Sequence, residues 1–264
     1  DKCRQGLTDE CFFSLKGFEA DANPAVAAAA NMELAVLSMQ RGMPKESLKY
    51  TQTAIKLLPD DPYPVLYSGW VYLSLGKYKK ARKGFADLMY LTADFEYVSS
   101  AKLGTALTWY FDGDEKQAAQ DLQYLYTADP YTISLTAYLL GAVSSHMKGS
   151  KQFAPIFLQQ ALEHDQNNYA AVKLLAKLAE KEKNKLHAWQ YYATLYALDP
   201  QNEAVAKKMA KYEKAIGSRA ENFLYYLRLE NPIAARVESV PSPEVRMALY
   251  ATREGKPAVL QSLK

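Results

Sequence analysis

Cysteine is almost absent, with only Cys3 and Cys11 in 264 residues. The two lie close together and have no other mate in the chain. They read either as a structural disulfide made in an oxidising compartment or as two unpaired thiols. Long apolar runs are missing too: nothing approaches the ~18 residues that span a bilayer as a helix. A low-polarity stretch such as Ala25 to Ala30 meets Asn31 and Glu33 at once, so no membrane insertion is expected. Strong charge of one sign is lacking. A formal net charge of +3 argues against nucleic acid, which calls for a clustered basic face. Glycine and proline are sparse at 12 each, as suits a mostly helical chain.

Signs of chemistry are equally thin. The histidines are His146, His164 and His187, none with a partner at metal-ligand spacing. Dinucleotide, phosphate-loop and nucleophile-elbow glycine motifs do not occur. Asp60-Asp61 and Gly113-Asp114 read as turns and helix caps and not as paired catalytic carboxylates. The lysine-rich 174–185 reads as a solvated helix face. No catalytic residue, metal or cofactor is expected, and the chain is not expected to be an enzyme. The sequence opens Asp1-Lys2-Cys3 without a signal peptide. This suits a mature exported protein, periplasmic or extracellular, in preference to a cytoplasmic one; a cut fragment would begin the same way.

What the chain does have is an ordinary apolar content of 49%, enough for a sizeable core, and a period. Gly42, Gly76, Gly113, Gly149 and finally Lys183-Asn184 stand 34, 37, 36 and 34 residues apart. A small residue follows each: Ser47, Ala81, Ala118, Ala154 and Ala188. Such a residue lets two helices approach closely, and a larger apolar or aromatic side chain about one turn later fills the space beside it. Pro59, Pro130 and Pro200 end units, because proline cannot continue a helical ladder. Asn or Asp nearby can then cap the next helix. The spacing predicts helix pairs at 25–41 and 44–57, 62–75 and 78–91, 95–111 and 114–127, 131–148 and 151–164, and 168–182 and 185–198.

The residues Gly69, Tyr72, Gly76, Tyr78, Ala81 and Phe85, and then Ala176, Ala188, Tyr192 and Pro200, fall in the register of the tetratricopeptide repeat, which this chain resembles from about residue 28 to 202. Ser38, Lys102 and Ser145 depart from the pattern, which expects large apolar or aromatic residues there. The resemblance implies an all-α, right-handed α-α superhelix, or solenoid.

The ends do not repeat. Residues 1–24, with Phe12, Phe13, Leu15 and Phe18, read as a capping helix on the five pairs of 25–202. Residues 203–231 read as C-terminal capping helices, and 232–264 as a short extended or β segment, which either docks on the helices or opens a downstream domain. PSPEVRMALY (241–250) resembles the entry to the stage II sporulation protein D-like, amidase-enhancer family. That likeness implies a different role, a non-catalytic targeting or regulatory arm of a cell-wall peptidoglycan enzyme.

The tetratricopeptide resemblance implies a concave groove lined by the first helix of each pair. Its inward positions map onto Tyr63, Leu66 and Trp70, then Leu103, Leu107, Tyr110 and Phe111. Leu139, Val143, His146, Met147, Lys173 and Lys177 continue it. These residues imply a protein or peptide partner. Apolar and aromatic anchors would bind it, and the two lysines would steer an acidic end. The same residues serve equally as core if the groove is filled. The expected function is a protein–protein interaction scaffold.

Overall fold

The computed structural model describes residues 8–217. Cys3, the helix expected near 221–231 and the β segment of 232–264 lie outside the described residues. Twelve α-helices and two short 3₁₀ turns make up the described chain, without a strand. In order they are α1 (Thr8–Lys16), α2 (Pro24–Gln40), α3 (Pro44–Leu57), α4 (Pro62–Ser74), α5 (Tyr78–Leu91), α6 (Phe95–Asp112) and α7 (Glu115–Ala128). Then come α8 (Ile133–His146), α9 (Ala154–His164), α10 (Tyr169–Lys181), α11 (Lys185–Leu198) and α12 (Glu203–Ile216). The chain divides within α7 into two compact units, the first running to Leu125 and the second starting at Tyr126.

The hairpin turns follow from backbone chemistry. Gly42, Gly76 and Gly113 adopt φ of 74°, 68° and 90°, the left-handed region that closes a helix. In each case the next residue donates its N–H back across the last turn: Met43 to Ser38 at 2.8 Å, Lys77 to Tyr72 at 2.9 Å and Asp114 to Trp109 at 2.9 Å. Lys183 takes the same role at φ 57°, with Asn184 donating to the Ala179 carbonyl at 2.9 Å. The position that breaks the glycine pattern therefore keeps the geometry and bears the strain of a side chain in left-handed backbone.

Helix starts are equally local. Asn23, Asp61, Asp94, Asn168, Asn184 and Asn202 each accept a backbone N–H from the first turn of the helix that follows. The fourth pair departs from expectation. Asp129 caps a 3₁₀ turn at Pro130–Thr132, so α8 starts at Ile133, and a second 3₁₀ turn, Lys151–Phe153, delays α9 to Ala154. Pro155 sits in the first turn of α9, where its missing N–H costs nothing.

In the first unit, α2 packs on α3, α4 on α5, and α6 on both α4 and α5. Ala81 and Phe85 are fully buried in α5. The Phe85 ring is wedged between two glycines: a Cβ on Gly69 would stand 2.4 Å from its Cε1, and one on Gly104 2.3 Å from its Cζ. Absent side chains on α4 and α6 thus make the slot for the aromatic. α1 closes the start of this unit. Its Phe12 meets Tyr50 edge-on at 6.4 Å, and the Arg41 guanidinium covers Phe12 at 4.2 Å while pairing with Asp9.

The second unit repeats the device with different residues. A Cβ on Gly141 of α8 would lie 2.6 Å from Leu158 Cγ on α9. Asn168 Nδ2 donates to Ser134 Oγ at 3.1 Å, which donates to the Ala161 carbonyl at 2.9 Å, tying α8, α9 and the start of α10 together. Thirty-four residues on, Asn202 Nδ2 donates to Tyr169 Oη at 3.3 Å and links α12 to α10.

Candidate binding surfaces

The thirteen expected groove residues sort by burial. Leu66, Trp70, Leu103 and Leu107 in the first unit, and Leu139 and Val143 in the second, are buried. Trp70 is only 1% exposed; its indole N–H donates to Ser100 Oγ at 3.3 Å and its ring meets Phe85 edge-on at 5.5 Å. These six side chains hold helices together, and the sealed Trp70 ring presents no surface on which a partner could anchor.

The other seven keep accessible surface. Tyr63, 37% exposed, lies in the first turn of α4 beside Tyr67 at 6.1 Å. Tyr110 and Phe111 are half-buried at the end of α6, edge-on to each other at 5.3 Å. Phe111 also stacks on Tyr78 of α5 at 6.1 Å, which fixes its ring. In the second unit His146 is exposed and Met147 half-buried at the end of α8. Lys173 is half-buried and Lys177 exposed on α10.

Lys102, the departure from the repeat pattern, sits with its ammonium 3.7 Å from the centre of the Tyr124 ring. A cation–π contact thus occupies the place of apolar packing. Arg82 does the same on the neighbouring helix, 3.9 Å over Trp109 and paired with Asp112 at 2.6 Å. Burial pushes the nearby Asp121 carboxyl up, against opposing hydrogen bonds from Gln117 and Trp109 and the charge of Lys102.

No pattern in the sequence marks the polar hub in the second unit. Glu180 of α10 accepts from Lys208 Nζ at 2.6 Å and Tyr212 Oη at 2.8 Å, both on α12. Burial pushes its carboxyl up, but the hydrogen bonds from Lys208, Tyr212 and Tyr192 outweigh it and hold Glu180 below the ordinary glutamate range. Burial, with the Glu180 charge behind it, pushes the Tyr192 hydroxyl far up. The Tyr192 and Tyr212 rings stack at 5.9 Å, with 6° between planes. Glu180 lies 28 and 32 residues from Lys208 and Tyr212, separations that leave no periodic trace.

Cys11 is buried and disulfide-bonded. An open apolar cleft of about 430 Å³ beside α1 and α2 is lined by Leu15, Phe18, Val26 and Ala29, with Glu33 as its polar group. Among the described residues, no group of three His, Cys, Asp or Glu could hold a metal ion, and no helix is long and apolar enough to cross a membrane.

No family model matches the sequence, and no curated protein matches it. Solved structures do match in fold. Cut9, from the APC/C hetero-tetramer Cut9–Hcn1, is 16% identical with a TM-score of 0.61, over 80% of this chain and 41% of its own. TTC0263, a tetratricopeptide-repeat protein of Thermus thermophilus, is 19% identical with a TM-score of 0.56, over 70% of this chain and 98% of its own. MamA of Desulfovibrio magneticus RS-1 is 20% identical with a TM-score of 0.53, over 66% of this chain and 96% of its own. The fold is therefore all-α and of the tetratricopeptide-repeat type. None of these likenesses supports the sporulation-protein resemblance, whose residues lie outside the described chain.

Proposed function

We propose that this chain is a non-catalytic protein–protein interaction scaffold that binds a peptide or helix from a partner. The observation that carries the reading is the uneven burial of the first helices of the pairs. Their middles are sealed, while Tyr63, Tyr110 and Phe111 in one unit, and His146, Met147, Lys173 and Lys177 in the other, keep surface in reach of solvent. Tyrosine beside lysine is the composition that binding surfaces favour: amphipathic rings for contact and charge for steering. Cut9, which shares the fold, is found in an assembly with Hcn1. The bonded state of Cys11 supports an exported location, since disulfides persist in oxidising compartments.

The test is a displayed random-peptide library selected on the immobilised chain. Selected peptides should bind about tenfold more weakly to Tyr63→Ala or Lys177→Glu, a loss of about 1.4 kcal/mol, with unchanged circular dichroism. A folded chain that selects nothing refutes the reading.

A further inference from the structure

Four large apolar side chains stay exposed at one corner of the first unit. Met89, Tyr90 and Leu91 end α5, and Phe95 opens α6 across the short connection 92–94. Tyr90 is 92% exposed and Phe95 50%. Neither ring stacks on another ring or lies under a cation among the described residues. Apolar side chains of this size gathered in one exposed place mark a contact surface.

The charge around them gives the chemistry of what covers them. α5 is joined by short turns to α4 and to α6 and packs on both, so its C-terminal end lies level with their N-terminal ends. Asp61 caps α4 by accepting the Tyr63 N–H at 2.9 Å, and Asp94 caps α6 by accepting the Glu96 N–H at 2.9 Å. Glu96 is exposed in the first turn of α6. Burial pushes the Tyr97 hydroxyl up, and the charges of Asp61, Asp94 and Glu96 add to that push, so all three carboxylates surround one phenol. None of them forms an ion pair with a described residue. The last turn of α5 holds no basic residue. Lys56, in the last turn of α3, complements the C-terminus of its own helix and pairs with none of the three. The N-termini of α4 and α6 each offset roughly half a charge, which leaves roughly two negative charges beside the apolar corner. The three carboxylates do not form a group that could hold a metal ion, whereas cations strung along a polypeptide can meet them one by one.

We infer that this edge of the first unit is a docking surface for a basic, amphipathic segment of a protein partner. Its apolar side chains would rest on Tyr90, Leu91 and Phe95, and its lysines or arginines would face Asp61, Asp94 and Glu96. The inference rests on the scaffold reading and names the chemistry of one partner segment. Apolar contact supplies the anchor, and opposite charge supplies steering and selectivity.

The experiment measures fluorescence anisotropy of a labelled lysine–leucine amphipathic peptide with the full chain, against a glutamate–leucine peptide of the same pattern and decalysine. The lysine–leucine peptide should bind at least about tenfold more tightly than either. Asp61→Asn/Asp94→Asn/Glu96→Gln should weaken it about tenfold with unchanged circular dichroism, because asparagine caps a helix as well as aspartate does. Tyr90→Ser/Phe95→Ser should weaken it about as much by removing the anchors. Glu163→Gln/Glu182→Gln, in the second unit, should leave binding unchanged. Three results overturn the inference: equal binding of the glutamate–leucine peptide or decalysine, full affinity in either corner variant, or equal loss from the second-unit variant. Library-selected peptides that lack basic residues and ignore both corner variants would sink this site while leaving the scaffold reading standing. A chain that selects no peptide at all would sink both.

Discussion

Replacing Gly104 with alanine puts one methyl group into the slot that Phe85 fills. The new Cβ would stand 2.3 Å from Phe85 Cζ, whereas carbon atoms in contact sit about 3.5–4.0 Å apart. The ring cannot simply slide away. Gly69 faces it on the other side, where a Cβ would be 2.4 Å from Cε1, and Trp70 meets it edge-on at 5.5 Å. Overpacking of this kind costs about 1–3 kcal/mol, and the overlap of more than an ångström places Gly104→Ala near the top of that range. Alanine returns about 1 kcal/mol of helix propensity over glycine, leaving a net loss of about 2 kcal/mol. Phe85→Leu removes the atoms that clash. The double variant Gly104→Ala/Phe85→Leu should therefore be more stable than the two single losses added together, by about 2 kcal/mol, a coupling within reach of residues in contact. Urea unfolding followed by circular dichroism and tryptophan fluorescence measures all four corners of the cycle. Additive losses, or a Gly104→Ala variant stabilised by its helix propensity, would show that the slot is not filled as described.

Three further outcomes follow from other parts of the chain. Lys183→Gly should raise stability by about 1 kcal/mol, because Lys183 holds φ at 57° and glycine removes the left-handed penalty; a lower unfolding midpoint would contradict this. Glu180 is held below its ordinary value, so its contribution is present above pH 4.5 and is lost as pH falls beneath that value through its folded pKa. Trp189, which packs against Met209, Tyr212 and Ile216 of α12, should report this by a fluorescence red shift in acid, and Glu180→Gln should abolish that acid step. An unchanged acid profile in Glu180→Gln would remove Glu180 as its cause. Cys3 should be the partner of Cys11, as the sequence holds no other cysteine. Non-reducing peptide mapping should then recover the two joined, and free thiols at both would refute the pairing.

Much of the fold is written in local signals. Turn glycines, the Lys183-Asn184 substitute, the Asn and Asp caps and the small residues at Ala81, Ala118, Ala154 and Ala188 each act within a few residues, so their spacing exposes them. In the fourth pair the helix starts fall two or three residues later than the spacing predicts, because Pro130 and Pro155 open 3₁₀ turns and first turns of helix as readily as prolines end units. The surface is less legible. α4, PYPVLYSGWVYLS, carries apolar residues around its whole circumference, so periodicity cannot distinguish a groove-facing Trp70 from one sealed against Phe85. Lys102 reads as a defect in the repeat until Tyr124 is placed beneath it. Glu180 finds its partner Lys208 on a different helix, 28 residues away, a relation that only packing creates.

The most direct test of the scaffold account compares one selected peptide against variants of the accessible and the sealed residues. Tyr63→Ala, for a peptide held by the first unit, or Lys177→Glu, for one held by the second, should weaken binding about tenfold with folding intact, while Trp70→Ala should cost about 3–5 kcal/mol of stability and lose binding only as it unfolds. Full affinity in both surface variants, or a well-folded Trp70→Ala that has lost its peptide, would contradict the account.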